Sequence, residues 1–584
     1  MKNLSAVLFF YLLLTSCFSQ WPPSFNYGNQ SFAYEELITA YQELAETYDE
    51  AQLLTIGKTD IGKPLHAFII DKEQAFSPQE LSKRTKPVLF INNGIHPGEP
   101  CGIDASFMLA EQMLQGYIPI PNIQLIFIPV FNVGGMLNRT CCSRANQNGP
   151  ALYGFRGNAK NLDLNRDFMK LDAENTAWLV NFIDDRDPDV FIDTHTSNGA
   201  DYQYTMTLIQ SQPDKMAPNL AQLQDQELVP FLYEYMEQRN FPLIPYVYTI
   251  GKTPETGIKD YLDSPRYSTG YTSFRNTLSF VSETHMWKPF EERVKSTYLL
   301  LFGLANWMEI NSSRLIESRK KANEWSRKLE EVAVNWELDT TQVDSIGFLG
   351  YESTYITSSI SGLDRLYYDR EKPFMQNIPY YHHYKANEKV PVPEYYLIPQ
   401  AWNKIVQKLI TLGVEVRQLK NDKSLMVNQH YIKNFNTSKS PYEGHYIHYQ
   451  TQTASKEGVI QFYAGDFVIK TNQPLNQLIV NALHPKGIDS YFSWGFFDAS
   501  LQQKEWFSDY VFEEKAKELL VNNPSLAIKL RKELDANPEL KNKHWEQLAF
   551  IYKNSPYYEP SAFRYPVYEF NYNLGPILSK PIRK

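Results

Sequence analysis

The sequence predicts an α/β domain, a mixed and mostly parallel sheet covered by helices on both faces, with a C-terminal β-rich accessory domain. Three observations lead there. Between residues 21 and 311, short and almost continuously apolar runs alternate with longer stretches of helical periodicity, the pattern of strands buried on both sides. Beyond residue 340, Tyr, Thr, Val and Ile mix with turn residues, as in antiparallel sheet. A chain of 584 residues also exceeds what one hydrophobic core fills.

The elements follow in order. "KPVLFINN" is a strand and residues 103–115 a helix; "IQLIFIPVFNVGG" is a second strand and its exit. Residues 173–184 form a helix with Trp178, Leu179, Phe182 and Ile183 on one side, and "PDVFIDTHTS" and "NTLSFVSETH" are two more strands. A long helical pattern closes this part. Residues 312–339 are expected to be a charged helical connection with a solvated face, and 340–584 a β-rich region ending in helices over 510–550.

Composition narrows the function classes. With 43% hydrophobic and 21% charged residues the chain is an ordinary folded one, and a net charge of -9 argues against a nucleic-acid partner. Residues 1–20, "MKNLSAVLFFYLLLTSCFSQ", read as a signal peptide, since the apolar stretch is too short to span a bilayer. Cleavage would fall near Gln20 or Trp21; alternatively "LTSC" marks Cys17 as a lipid anchor. Either way the protein is exported, to the periplasm, cell envelope or extracellular space, and no later stretch has transmembrane character. Beyond the signal, Cys101, Cys141 and Cys142 allow at most one disulfide and leave a thiol over.

The chemistry concentrates at strand ends, where open α/β sheets place their sites. "INNGIHPGEP" puts His96 and Glu99 between a strand and a helix. With 11 His and 66 acidic residues the spacing arises about once by chance, so it needs context. His195, at the end of "DVFIDTHTS", supplies a third ligand, and His-Glu-His leaves one open position on a catalytic zinc. Cys101 reads either as a further ligand or as a small apolar residue starting the helix. Asp193 is a candidate to orient His195. "FRGNAKNLDLNRDF" contributes Arg156, Asn165 and Arg166, donors suited to a carboxylate and an oxyanion. Glu283 is an acidic residue inside an apolar strand, which needs a reason such as service as a general base; its neighbour His285 is a bystander.

The ordered set of "HPGE", Arg156 with "DLNR", His195 and Glu283 resembles the zinc metallocarboxypeptidase family that includes carboxypeptidases A, B and D, over roughly residues 30–310. The resemblance implies one Zn2+ ion held by His96, Glu99 and His195, and Glu283 as base towards a metal-activated water and then acid towards the leaving amine. Arg156 would polarise the scissile carbonyl, while Asn165 and Arg166 would grip the substrate's C-terminal carboxylate. The family's substrate-capping tyrosine has no unique match: "DYLDSPRYSTGYTS" offers Tyr261, Tyr267 and Tyr271, of which Tyr261 has the expected spacing and Tyr271 the "TGY" turn. Arg266 would suit an acidic substrate side chain.

The function expected is therefore an exported zinc-dependent metallopeptidase, a carboxypeptidase acting on a peptide or peptide-like substrate. A zinc amidase acting on N-acyl amino acids or cell-wall peptides is the alternative, and a non-catalytic binding protein on the same fold is the third reading.

Overall fold

The structure is a computed structural model that describes residues 28–77 and 86–582. The signal segment and Cys17 lie outside the described residues. No helix among them is long and apolar enough to cross a membrane.

The sheet at the centre has eight strands. They are β1 (Ala51–Lys58), β2 (Pro64–Ile70), β3 (Val88–Asn92), β4 (Gln124–Ile128), β5 (Val190–Ser197), β6 (Met206–Gln210) and β7 (Leu243–Pro245). Two short strands, β8 (Tyr248–Thr249) and β9 (Ile258–Lys259), leave for another sheet before the eighth, β10 (Leu278–His285), returns. The spatial order is β1-β2-β4-β3-β5-β10-β6-β7. β4, β3, β5 and β10 run parallel in the middle, where both faces are covered. The hairpin β1–β2 and strand β6 join antiparallel towards the edges.

Alternation along the strands divides the core into two layers, because successive side chains point to opposite faces. Leu89, Ile91, Val190, Ile192, Leu278 and Phe280 meet helices Tyr34–Thr47, Cys101–Leu114 and Phe290–Ile310. Val88, Phe90 and Phe191 meet helix Glu174–Arg186 and, in the same continuous cluster, Val332, Tyr396, Leu409, Leu478 and Tyr565 from the C-terminal part. One face of the sheet is thus covered largely by sequence that follows the α/β part of the chain.

That C-terminal part contains a pair, β11 (Glu331–Leu338) with β14 (Tyr384–Pro391), and a long ribbon, β12 (Asp344–Thr357) with β13 (Asp364–Tyr381), which β9 and β8 extend. A six-stranded sheet follows, β16-β19-β15-β20-β17-β18, built from β15 (Tyr395–Ile398), β16 (Arg417–Gln418), β17 (Lys423–Thr437), β18 (His448–Phe462), β19 (Phe467–Lys470) and β20 (Arg564–Phe570). Helices Asp509–Asn522, Pro524–Ala536 and His544–Lys553 share a small cluster of their own.

Two local expectations change. The connection is helical only over Ser312–Arg327, and Glu331–Leu338 is a strand because Val332 and Val334 alternate inward, a period of two that a helix cannot use. Trp178 does not join Leu179, Phe182 and Ile183 in the core. It stays 44% exposed and lies over Gly57, where any Cβ would run into its indole.

A close approach near the strand ends is at Gly102, in the first turn of Cys101–Leu114, where a Cβ would collide with Thr194 Oγ1 and Cβ on β5. Gly102→Val should destabilise the protein by about 1–3 kcal/mol through overpacking, read as a lowered denaturation midpoint. A Gly102→Val midpoint equal to that of the parent would show that this contact has room to give.

Candidate active site

Three segments converge at the C-terminal ends of β3, β5 and β10. After Asn92 the chain turns through His96 and Glu99, a turn closed by the Glu99 N–H donating to the His96 carbonyl at 2.8 Å, and enters helix Cys101–Leu114. On the neighbouring strands, His195 and Glu283 are direct register partners in the parallel β5–β10 pair. Both lie on the sheet face that the C-terminal part covers, since they alternate with Val190, Ile192, Leu278 and Phe280 on the other.

Glu99 sits between the two histidines. Its Oε1 is 3.4 Å from His96 Nδ1 and its Oε2 3.1 Å from His195 Nδ1. All three side chains are buried, and their ligand atoms lie within 4.8 Å of one another. The remote ring nitrogens both face carboxylates: His96 Nε2 is hydrogen-bonded to Asp163 Oδ1 at 2.9 Å, and His195 Nε2 lies 3.4 Å from Asp193 Oδ2 without a hydrogen bond. His96 Nδ1 and His195 Nε2 are left buried without a hydrogen-bond partner, a state that is costly unless something else occupies them. Two imidazoles aimed by carboxylates and one carboxylate oxygen donor set suit a catalytic zinc, so the residues present fit the ion. The Asp193 expectation agrees with this placement. Asp193 is itself fixed by Ser268 Oγ at 2.6 Å and Asn92 Nδ2 at 3.1 Å.

Cations surround these acids. Arg144 Nη1 donates to Glu99 Oε1 at 3.0 Å and its Nη2 to the Thr196 carbonyl at 3.2 Å. Arg156 grips Asp163 Oδ2 with Nε and Nη2 at 3.0 and 2.8 Å and reaches Glu99 Oε1 at 3.4 Å. Burial alone would raise the Asp163 carboxyl, but His96, Arg156 and Arg166 hold it far below the ordinary range. Burial likewise works against Glu99, and His96, Arg144 and His195 keep it ionised. For His195 burial is outweighed by Asp193 and Glu99, which hold the imidazole's affinity for a proton well above normal. Glu283 has no such cage. Burial raises its carboxyl to about 7, with His195 opposing and Glu99 adding to the rise.

The cavity in front of these groups has a volume of about 500 Å³ and is lined by His96, Glu99, Arg156, Asn165, Arg166, His195, Tyr261 and Glu283. Those are eight of the nine residues expected from the sequence. The ninth, Tyr271, is not there. Helix Ser268–Ser273 turns it into the core, where its ring packs against Phe168 and its hydroxyl accepts from Arg275. Tyr261 lines the cavity between the rings of Tyr246 and Tyr267. Arg266 is also elsewhere: its Nε is bonded to Asp489 at 2.6 Å and its guanidinium lies over Trp494, so it is not available to a substrate side chain. Cys101 is buried with Sγ 3.1 Å from Thr284 Oγ1, the small packed residue at the helix start rather than a ligand. Cys141 and Cys142 form a disulfide with each other. His285 is the bystander expected, bonded to the Ala200 carbonyl at 2.9 Å.

Sequence reasoning missed three contributors. Asp163 stands in the quoted "DLNR", and its place three residues before Arg166 was a usable signal. Arg144 and Tyr246 carry no local pattern and come to the cavity only through the fold, while Tyr267, one of the three tyrosines offered, lines the cavity beside Tyr261.

Residues 37–277 match the sequence profile of the zinc carboxypeptidase family. The domain they span belongs to that family. The matched stretch of the zinc carboxypeptidase domain contains the three ligand candidates together with Arg156, Asn165, Arg166 and Tyr261, and ends six positions before Glu283. Carboxypeptidase 2 of Trichophyton tonsurans is 33% identical over 108 residues, 18% of this chain and 20% of its own length. Its counterpart in Trichophyton rubrum is 33% identical over 103 residues, 18% and 19%. The chain thus spans about a fifth of the length of the curated relatives it matches. Among solved structures, a putative carboxypeptidase A from Shewanella denitrificans aligns at 16% identity with a TM-score of 0.38, covering 48% of this chain and 70% of that one. Carboxypeptidase A from Helicoverpa armigera aligns at 17% identity and TM-score 0.36, covering 55% and 82%.

The Asp163–His96 contact has a direct consequence. Asp163→Asn should weaken zinc binding about 10- to 100-fold while leaving the fold intact, measured by competition against a chromophoric chelator. Unchanged affinity would show that Asp163 acts on Arg156 alone.

Proposed function

We propose that the protein is an exported, zinc-dependent metallocarboxypeptidase that removes C-terminal residues from peptides with a free carboxylate. The observation that carries the reading is the joint placement of His96, Glu99, His195 and Glu283 with Arg156, Asn165 and Arg166 around one cavity. An ion site, a base and a cationic end wall share a single space, which is what an exopeptidase requires.

When bound by His96, Glu99 and His195, zinc supplies Lewis-acid chemistry and lowers the pKa of water to near neutrality. The protein's own groups do the rest. Glu283, with its carboxyl near 7, can take a proton from the attacking water at neutral pH and return it to the leaving amine, because a base is most effective when its pKa lies near the working pH. Arg156 is always charged and is braced on Asp163, so its remaining Nη1 edge is set towards Glu99 and the reacting carbonyl. Asn165 is fixed by its Oδ1, which accepts from the Ser268 N–H at 3.0 Å, leaving the Nδ2 amide as donor towards the cavity. With Arg166 it would hold the terminal carboxylate and so place the last peptide bond over the ion site. Tyr261 would close over the bound residue.

Glu283→Gln should abolish hydrolysis of free-acid peptides, a loss of about 10²–10⁴-fold, with zinc content unchanged. Turnover retained by that variant would remove Glu283 from the mechanism. Arg166→Ala should raise KM for free-acid peptides far more than for their C-terminal amides, and equal effects on both would overturn the carboxylate grip.

A further inference from the structure

The arginine at the carboxylate end of the cavity, Arg166, is held from behind by the C-terminal part of the chain. The turn that joins β17 to β18, residues 438–447, descends onto it from the C-terminal part. The Arg166 Nε donates to the hydroxyl of Tyr442 at 3.0 Å, and the backbone N–H of Asp163 donates to Glu443 Oε2 at 2.7 Å. A third contact, His445 Nε2 to Asp172 Oδ2 at 2.6 Å, fixes the same turn to the loop that follows Arg166.

The turn is held in one shape. Tyr442 and His445 exchange backbone hydrogen bonds at 2.7 and 3.0 Å, and the two residues between them, Glu443 and Gly444, have φ of 50° and 81°. A glutamate in the left-handed region is uncommon and is kept only where surrounding contacts determine it. Those contacts are present. The Tyr442 ring stacks on Trp494, His445 packs edge-on against the same indole, and Trp494 is buried. Arg266, bound to Asp489, lies over both aromatic rings.

We propose that Tyr442 is a positioning residue for the substrate's terminal carboxylate, acting through Arg166, and that the C-terminal part thereby sets the substrate pocket from outside its lining. The inference rests on the carboxypeptidase reading above. Arg166 has five N–H donors on a long, mobile side chain. Nε is taken by Tyr442, Nη1 by the Asn165 carbonyl at 2.8 Å, and the guanidinium plane lies 4.6 Å from the centre of the Tyr267 ring. Among the described residues Nη2 has no hydrogen-bond partner, and the side chain lines the cavity. Fixing Nε therefore presents the Nη2 edge in a single orientation before substrate arrives, which lowers the ordering cost of binding without adding a contact to the reacting atoms. The Glu443 bond to the Asp163 N–H fixes the other side of the same short turn, the one that bears Asn165 and Arg166.

The test is steady-state kinetics of Tyr442→Phe on an N-acylated dipeptide with a free C-terminus, together with calorimetric binding of that dipeptide and of its amide to zinc-loaded Glu283→Gln protein with and without Tyr442→Phe. Phenylalanine keeps the ring on Trp494 and removes only the hydroxyl. KM should rise about tenfold with kcat within about twofold, and affinity for the free acid should fall about tenfold while that for the amide stays constant. An unchanged KM in an active enzyme would overturn the proposal and leave the carboxypeptidase reading standing, even if Tyr442→Phe lowered the melting temperature. No turnover by the parent protein, combined with Tyr442-dependent binding of the free acid, would overturn the hydrolytic reading and leave this one standing. Equal affinity for acid and amide in the Tyr442-intact protein would overturn both.

Discussion

The carboxylate of Glu99 is almost entirely withdrawn from water, and the arrangement around it follows from that. An isolated buried carboxylate would protonate rather than stay charged. Here the Thr196 N–H, Arg144, Arg156 and both histidines share it, and each is fixed in turn by something else: Arg156 and His96 by Asp163, His195 by Asp193, Arg144 by the Thr196 carbonyl. The network keeps a negative ligand available between two imidazoles and aims both at it. Charges so deeply buried stabilise a protein weakly on their own account. Their alternating order is better understood as the means of holding an ion site in one geometry.

Glu283 is the counter-example within the same cavity. It lies beside His195 by register yet lacks an arginine fork of its own, so burial dominates and its carboxyl rises to about 7. Two glutamates a few ångströms from the same histidine are driven apart in proton affinity by their partners. That separation allows one to remain an anion while the other exchanges a proton at neutral pH.

The C-terminal part bears on both halves of this arrangement. Its residues Tyr396, Leu409, Leu478 and Tyr565 complete the core on the face from which His195 and Glu283 project. The β17–β18 turn then contacts Arg166 and the backbone of Asp163, behind the cavity's lining. A large accessory region packed on the opposite face would have left the strand ends open. Its position on this face makes the setting of Arg166 depend on packing between distant stretches of chain.

Of the eight cavity residues expected from the sequence, His195 and Glu283 were legible from apolar runs whose period fixes their face, His96 and Glu99 from the turn after such a run, and Arg156, Asn165, Arg166 and Tyr261 from the ordered motifs of the resemblance. His195 and Asp193 share a face by simple alternation, and the Pro-Gly turn fixes His96 and Glu99. Tyr271 was misplaced because a "TGY" segment looks like an exposed turn, whereas in the fold it is a short helix packed under Phe168. Arg266 was misplaced because its partner, Asp489, is more than two hundred residues away. The strand Glu331–Leu338 was hidden by an adjoining charged helix whose composition masked its alternation. What the sequence determined by itself was local: strand period, turn chemistry and the residue types that a zinc and a base require. What only the tertiary structure decided was which distant groups meet them, Arg144 on Glu99, Tyr246 beside Tyr261 and Tyr442 on Arg166, because such pairings are set by how whole layers pack and leave no period in the chain to read.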